Sequence, residues 1–187
     1  GWSPPPTEPL PYRREPGQCG AQSDIVYYIV YYTVLCINGD ISMTLDRSFV
    51  EQNRAATNRI RSLTAQLSET QMQQAVGEHW TVAITLAHLA FWDQRVLYCL
   101  ERSERAGQRF TPEIDMVVNE IALPLWAALP PQAAARLARE TAEALDRRLE
   151  GFPAALLEEI YATHPRWVMR ALHRNEHLNE IEAALRG

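Results

Sequence analysis

The chain predicts an all-α protein, a four-helix bundle with a non-helical N-terminal extension. Three observations carry that prediction. From Met43 onward, apolar residues recur at helical spacing, and neither strand-like alternation nor an internal repeat interrupts them. Capping residues, prolines and glycines divide this part into long segments of helical length. Residues 1–42 differ from all of this in composition.

Residues 1–42 hold half the prolines, half the glycines and five of the seven tyrosines. Pro4-Pro5-Pro6, Pro9 and Pro11 favour an extended arm. The run from Ile25 to Ile37 is apolar, rich in β-branched and aromatic residues, and closes at Asn38-Gly39-Asp40. It is short for a membrane span. As a signal-peptide core behind Arg13-Arg14 it is unusually rich in tyrosine and lacks a small-x-small cleavage site. As an added strand it would be an aggregation-prone edge unless paired. The expectation is an upstream extension over 1–42, outside the working domain, and a helical domain over 43–187 with Met43 as a natural start.

The helices follow in order. Asp46 or Ser48 can cap a first helix to about Leu67, with Phe49, Ile60, Leu63 and Leu67 facing inward. Gly77 and its neighbours break the pattern. Thr81 caps a strongly apolar second helix from Val82 to Arg105, stopped by Gly107. Residues 112–129 form a shorter helical piece broken by Pro124. Pro130-Pro131 open a third long helix to Leu149, with a seam of Ala134, Leu137, Thr141, Ala144, Leu145 and Leu149. Gly151 and Pro153 end it. Residues 154–162 suit a short helical turn. Pro165, at a first helical turn, begins a last helix through Leu185. Bundles of this kind build sites from side chains on facing helices.

Composition narrows the function. At 47 % hydrophobic and 22 % charged, the chain has an ordinary globular balance. A net charge of −5, with no basic stripe, argues against nucleic acid as a partner. All basic residues are arginine, so no lysine-based mechanism is open. Cys19, Cys36 and Cys99 show no metal or redox spacing and no disulfide framework. A reducing cytoplasm, with no membrane contact, is the expected compartment.

The chemistry concentrates in the histidines. His173 and His177 lie four apart on the last helix and share one face. His88 sits within Leu86-Ala87-His88-Leu89-Ala90, in the most apolar helix of the chain. Taken singly, each has an ordinary explanation: a solvated pair, and a satisfied core histidine. Together they suggest three imidazoles meeting in an apolar interior, which is costly unless something pairs with them. A divalent metal with an open coordination position is the natural partner. On a helical wheel Glu180 falls about 20° from His173 and one turn beyond His177, where it can orient an imidazole from behind. Trp92, Arg95 and Cys99 share the sector of His88 and are expected on the same wall, Trp92 as a stacking surface and Arg95 to hold a carboxylate. The order His-Arg-Asn-Glu-His is not the H-E-x-x-H of zinc proteases, because Glu176 precedes the second histidine. His79 and His164 precede helix starts and read as loop or cap residues.

The segment Gly77-Glu78-His79-Trp80-Thr81-Val82 through Leu86-Ala87-His88-Leu89-Ala90-Phe91-Trp92-Asp93 resembles a motif of the DinB-like superfamily. That group includes the YfiT-type proteins and the metal-binding domain of mycothiol-dependent maleylpyruvate isomerase. His173-Arg174-Asn175-Glu176-His177-Leu178-Asn179-Glu180-Ile181 resembles the family's closing motif, and Asp115 to Asn119 its connecting segment. The resemblance spans about residues 43–186. It implies a four-helix bundle whose His88, His173 and His177 bind a divalent transition metal, zinc or nickel, and a homodimer. It also implies a thiol-dependent transferase or isomerase acting on a small molecule with mycothiol or bacillithiol. A metal-dependent hydrolase is the alternative, with hydroxide as nucleophile and Glu180 as candidate base. A non-enzymatic, stress-related metal-binding bundle is the third reading. No catalytic role is carried onto Asn119.

Overall fold

The computed structural model describes residues 45–187, and within them helix dominates. The extension expected over 1–42 lies outside the described residues. Helix α1, Ser48–Gln66, has Arg47 at its N-cap with no side-chain cap bond. Neither expected cap residue takes that position. Instead the Asp46 carboxylate accepts from the Ser48 amide at 3.0 Å and its hydroxyl at 2.7 Å, satisfying the first helical N–H from one residue earlier. A one-turn helix α2, Glu69–Met72, follows behind a reciprocal Ser68–Gln71 capping box. Next, β1 (Ala75–Val76) pairs antiparallel with β2 (Trp80–Thr81) around Gly77, whose φ of 65° suits glycine. The sequence reading has no strand here, because two residues carry no period.

Thr81 ends β2 and caps α3, Val82–Ala106, its hydroxyl accepting from the Ile84 amide. Gly107, at φ 63°, closes that helix. Helix α4, Val118–Ala127, runs through Pro124 rather than breaking there. Pro124 is exposed, so its ring meets solvent and only one intrahelical bond is lost. Helix α5 is Pro131–Glu150 and α6 is Ala154–Thr163, the latter a full helix where a short turn is expected.

The last helix differs most from expectation. It is not continuous from Pro165: α7, Pro165–Val168, stops, and α8, Arg170–Arg186, starts after a break at Met169. The cause is Asn53 on α1, which is buried. Its side-chain amide donates to the Val168 carbonyl at 2.8 Å, and its oxygen accepts from the Ala171 amide at 2.8 Å. One residue thus takes both backbone groups freed by the break, inside the core where water cannot.

Helix α1 packs against α5 and α8, and α3 lies against α5 and meets α8, closing a four-helix bundle. Along α5 the buried face is Ala134, Ala135, Ala138, Ala142, Leu145 and Leu149. The expected Leu137, Thr141 and Ala144 stand only half-buried beside it. Small alanines let α3 approach closely. Three apolar clusters pack the described residues: one around Ile60, Leu86, Ala138 and Leu178, a second around Phe49, Leu100, Leu149 and Val168, and a third around Ile84, Ala122, Trp126 and Ala134.

A buried polar layer lies between the first two clusters along every long helix. Asp93 on α3 grips α8 twice, with Oδ1 2.8 Å from Arg170 Nε and Oδ2 2.8 Å from Arg174 Nε. Arg174, 0 % exposed, also reaches Asp146 on α5 at 2.7 Å and the Thr57 hydroxyl on α1 at 2.9 Å. Thr57 in turn donates to Asp146 at 2.6 Å. Among the described residues no helix is long and apolar enough to cross a membrane.

Candidate metal centre

His88 projects from α3 out of a stretch, residues 82–90, that is buried throughout. His173 and His177 project from α8 one turn apart, as their spacing requires. The structure brings all three together, with one nitrogen of each within 4.8 Å of the others. His88 Nε2 and His173 Nε2 are 3.2 Å apart, and the ring centroids are separated by 5.3, 4.7 and 4.8 Å. Two imidazole nitrogens bound at ~2.0–2.1 Å to one tetrahedral zinc would lie ~3.3–3.4 Å apart. The donor set and the His88–His173 spacing therefore suit a divalent transition metal, and the three histidines could hold one.

The polar layer explains why they meet. Asp93 stands five residues beyond His88 on α3, and Arg170 and Arg174 interleave with His173 and His177 on α8. The carboxylate grips both arginines, and Arg174, tied as well to Asp146 and Thr57, fixes the rotation and register of α8 against α3. That rotation turns the histidines of α8 towards His88.

Each imidazole has a different environment behind it. His177 Nδ1 is 2.8 Å from Glu180 Oε2, and Glu180 is half-exposed. His173 Nδ1 is 2.8 Å from Arg170 Nη2. His88 Nδ1 is buried and has no hydrogen-bond partner among the described residues. Aromatic rings wall the site. Trp80 lies 4.7 Å from His88 and 5.9 Å from His177, and Trp126 meets the edge of His88 at 5.2 Å. Trp92 stands 6.1 Å from His88 and donates through Nε1 to Asn119 Oδ1 at 3.2 Å.

Not every residue in the sector of His88 reaches the site. Cys99 does not line its wall. It is buried with Val96 and Leu100 in the second apolar cluster, because eleven residues carry it ~16 Å along the helix despite its matching phase. The Arg95 guanidinium lies over Trp92 and Trp167, at 5.6 and 5.0 Å, and donates to the Pro112 carbonyl at 2.6 Å. Its link to the histidines runs through the Trp92 ring. His79 is exposed beside Glu78, and His164 packs on Trp167.

Sequence reasoning missed Asp93, Arg170 and Arg174, whose charges mark them as surface residues by default. The i,i+4 arginine pair interleaved with the histidine pair was the available clue. Trp80 belongs to the motif around His88, whereas nothing in the sequence marks Trp126.

Burial pushes the His88 pKa from 6.5 down to about 3, and positive charge on His177 and Arg170 adds to the effect. Burial, then Arg170, drives His173 down as well. Both rings are therefore neutral in the fold, while the unfolded chain protonates near 6.5. As pH falls below that value the unfolded state binds more protons and gains relative to the native state. Metal-stripped protein is expected to lose stability from pH 6.5 towards pH 3, at up to ~1.4 kcal/mol per pH unit per ring. Urea unfolding at pH 7, 6 and 5 checks this. A flat profile would contradict the buried, neutral placement of the two rings.

A family model described as the DinB superfamily matches residues 52–181, a span that includes all three histidines. No curated protein and no solved structure matches the chain.

Proposed function

The chain belongs to the DinB superfamily, and on that premise we propose that His88, His173 and His177 hold a divalent transition metal used in catalysis on a small molecule. The observation that carries this reading is the donor set itself. Among the described residues the ligand cluster consists of three histidines, with no cysteine or carboxylate to complete a closed coordination shell. Structural zinc sites are closed by four protein ligands, whereas catalytic ones keep a position open. Three neutral imidazoles also leave the ion its full charge. When bound, such an ion supplies a Lewis acid that lowers the pKa of a thiol or a water.

The chain's own residues favour a thiol-dependent transferase or isomerase over a hydrolase. A hydrolase needs a general base, and the carboxylate that touches the triad, Glu180, is engaged on His177 Nδ1. Its role there is to orient the imidazole. A low-molecular-weight thiol such as mycothiol or bacillithiol depends less on such a base, since an S–H with a pKa of about 8.5 gives its proton to solvent far more readily than water does and leaves the thiolate as nucleophile. Trp80 and Trp126 pack on the imidazoles and give that side of the site an aromatic wall. Zinc and nickel are the proposed metals, since imidazole suits both.

The test is elemental analysis of the full 187-residue chain purified without a histidine tag. The expected result is about one zinc or nickel ion per chain, as a single three-histidine site requires. Turnover of an electrophile that depends on both added thiol and metal would then support the transferase reading. Turnover without thiol would favour the hydrolase. Metal held with no solvent-exchangeable position would favour the non-enzymatic bundle. No metal, even after incubation with zinc or nickel, would sink the proposal.

A further inference from the structure

Which nitrogen of an imidazole is free for an ion depends on what faces the other nitrogen. Metal-binding histidines almost always donate their second N–H to a carboxylate, a carbonyl or water. His177 follows this rule, with Glu180 as acceptor 2.8 Å from Nδ1. His173 does not. Its Nδ1 faces Arg170 Nη2 at 2.8 Å, and a guanidinium has donors only. Nδ1 of His173 must therefore offer its lone pair, and a neutral ring then carries its single proton on Nε2. That N–H points to His88 Nε2 at 3.2 Å, which accepts it.

Arg170 is not free to turn away. Its Nε is held by Asp93 at 2.8 Å, its Nη1 donates to the Arg166 carbonyl at 3.0 Å, and its side chain is 5 % exposed. We infer that Arg170 holds His173 as the Nε2–H tautomer and thereby works against metal capture, making His173 the labile ligand of the centre. This rests on the metal reading above and adds the sign of Arg170's effect. For His173 to coordinate through Nε2, its proton must leave Nε2 and appear on Nδ1. The ring gains and loses no net proton, but the Arg170 bond breaks. Arg170 is thus a positioning residue whose removal strengthens the site, the reverse of what an ordinary supporting partner does.

The experiment compares the full-length wild-type chain with Arg170→Gln and Arg170→Lys. Glutamine presents a carbonyl oxygen that can accept from Nδ1–H, while lysine keeps a donor-only cation. Zinc affinity is read by competition with a chromophoric chelator. The imidazole tautomers are read by long-range proton–nitrogen NMR of the metal-free proteins. The expected result is Nε2–H on His173 in the wild type, with Arg170→Gln shifted to Nδ1–H. That variant should bind zinc at least about tenfold more tightly, and Arg170→Lys should stay near wild type. Equal or weaker zinc binding by Arg170→Gln overturns the inference, as does Nδ1–H on His173 in the wild type. The second reading needs no variant to fold. If neither wild type nor Arg170→Gln binds zinc, the metal reading falls, and the NMR measurement alone decides whether Arg170 sets the proton of His173.

Discussion

Arg174→Ala is expected to cost about 3–5 kcal/mol of folding stability, a large fraction of the ~5–15 kcal/mol that holds a typical domain together. Arg174 is 0 % exposed and contacts every other long helix of the bundle. It meets Asp93 on α3, Asp146 and the Ala142 carbonyl on α5, and Thr57 and the Asn53 carbonyl on α1. Burial alone would lower its pKa, but the two carboxylates outweigh burial and raise it. The cation therefore stays charged and the cluster depends on it. With alanine at 174, Asp93 keeps Arg170, but Asp146 is left in the interior with only the Thr57 hydroxyl. An uncompensated buried charge is the expensive outcome, more than the lost attraction itself. Urea unfolding at neutral pH measures the change. The paired variant Arg174→Met with Asp146→Leu should recover part of the loss, because it removes both charges at once. A cost under about 1 kcal/mol for Arg174→Ala would mean that the polar layer does not organise the bundle.

His88→Leu is expected to weaken zinc or nickel binding by about 100-fold or more, since it removes one of three ligands. The same change should leave the metal-stripped protein within about 1 kcal/mol of wild type, because a buried Nδ1 without a partner disappears while one His173 bond is lost. Leucine fits the apolar stretch around position 88. The variant should also lose its share of the acid sensitivity between pH 6.5 and about 3. Competition titration and urea unfolding on one preparation read both quantities. Wild-type affinity in His88→Leu would show that the metal, if bound, sits elsewhere. This separation of affinity from stability is what distinguishes a ligand from a core residue.

Much of the helical layout was legible in the sequence. Thr81, Gly107, Pro131 and Gly151 stand at or beside the ends of α3 and α5, because helix ends leave backbone groups that only certain residues satisfy locally. His173 and His177 share a face by arithmetic alone. Where the interactions were not local, the sequence was silent or misleading. The break at Met169 depends on Asn53, more than a hundred positions earlier, and no rule of spacing joins them. Cys99 had the right phase for the site and the wrong height along the helix. Arg95 had the right phase too, yet its guanidinium is held by Pro112 and two indoles.

The sequence by itself determined an all-α bundle, the apolar helix that carries His88, and the one-turn spacing of His173 and His177. These follow from periodicity and capping, which act over a few residues of chain. Only the tertiary structure decided that α8 begins afresh after Met169, that Asp93 clamps Arg170 and Arg174, and that Arg170 stands behind His173. Those features join residues far apart in the chain. They rest on burying charges that would otherwise be solvated, a choice that becomes favourable only once the partners are already in place.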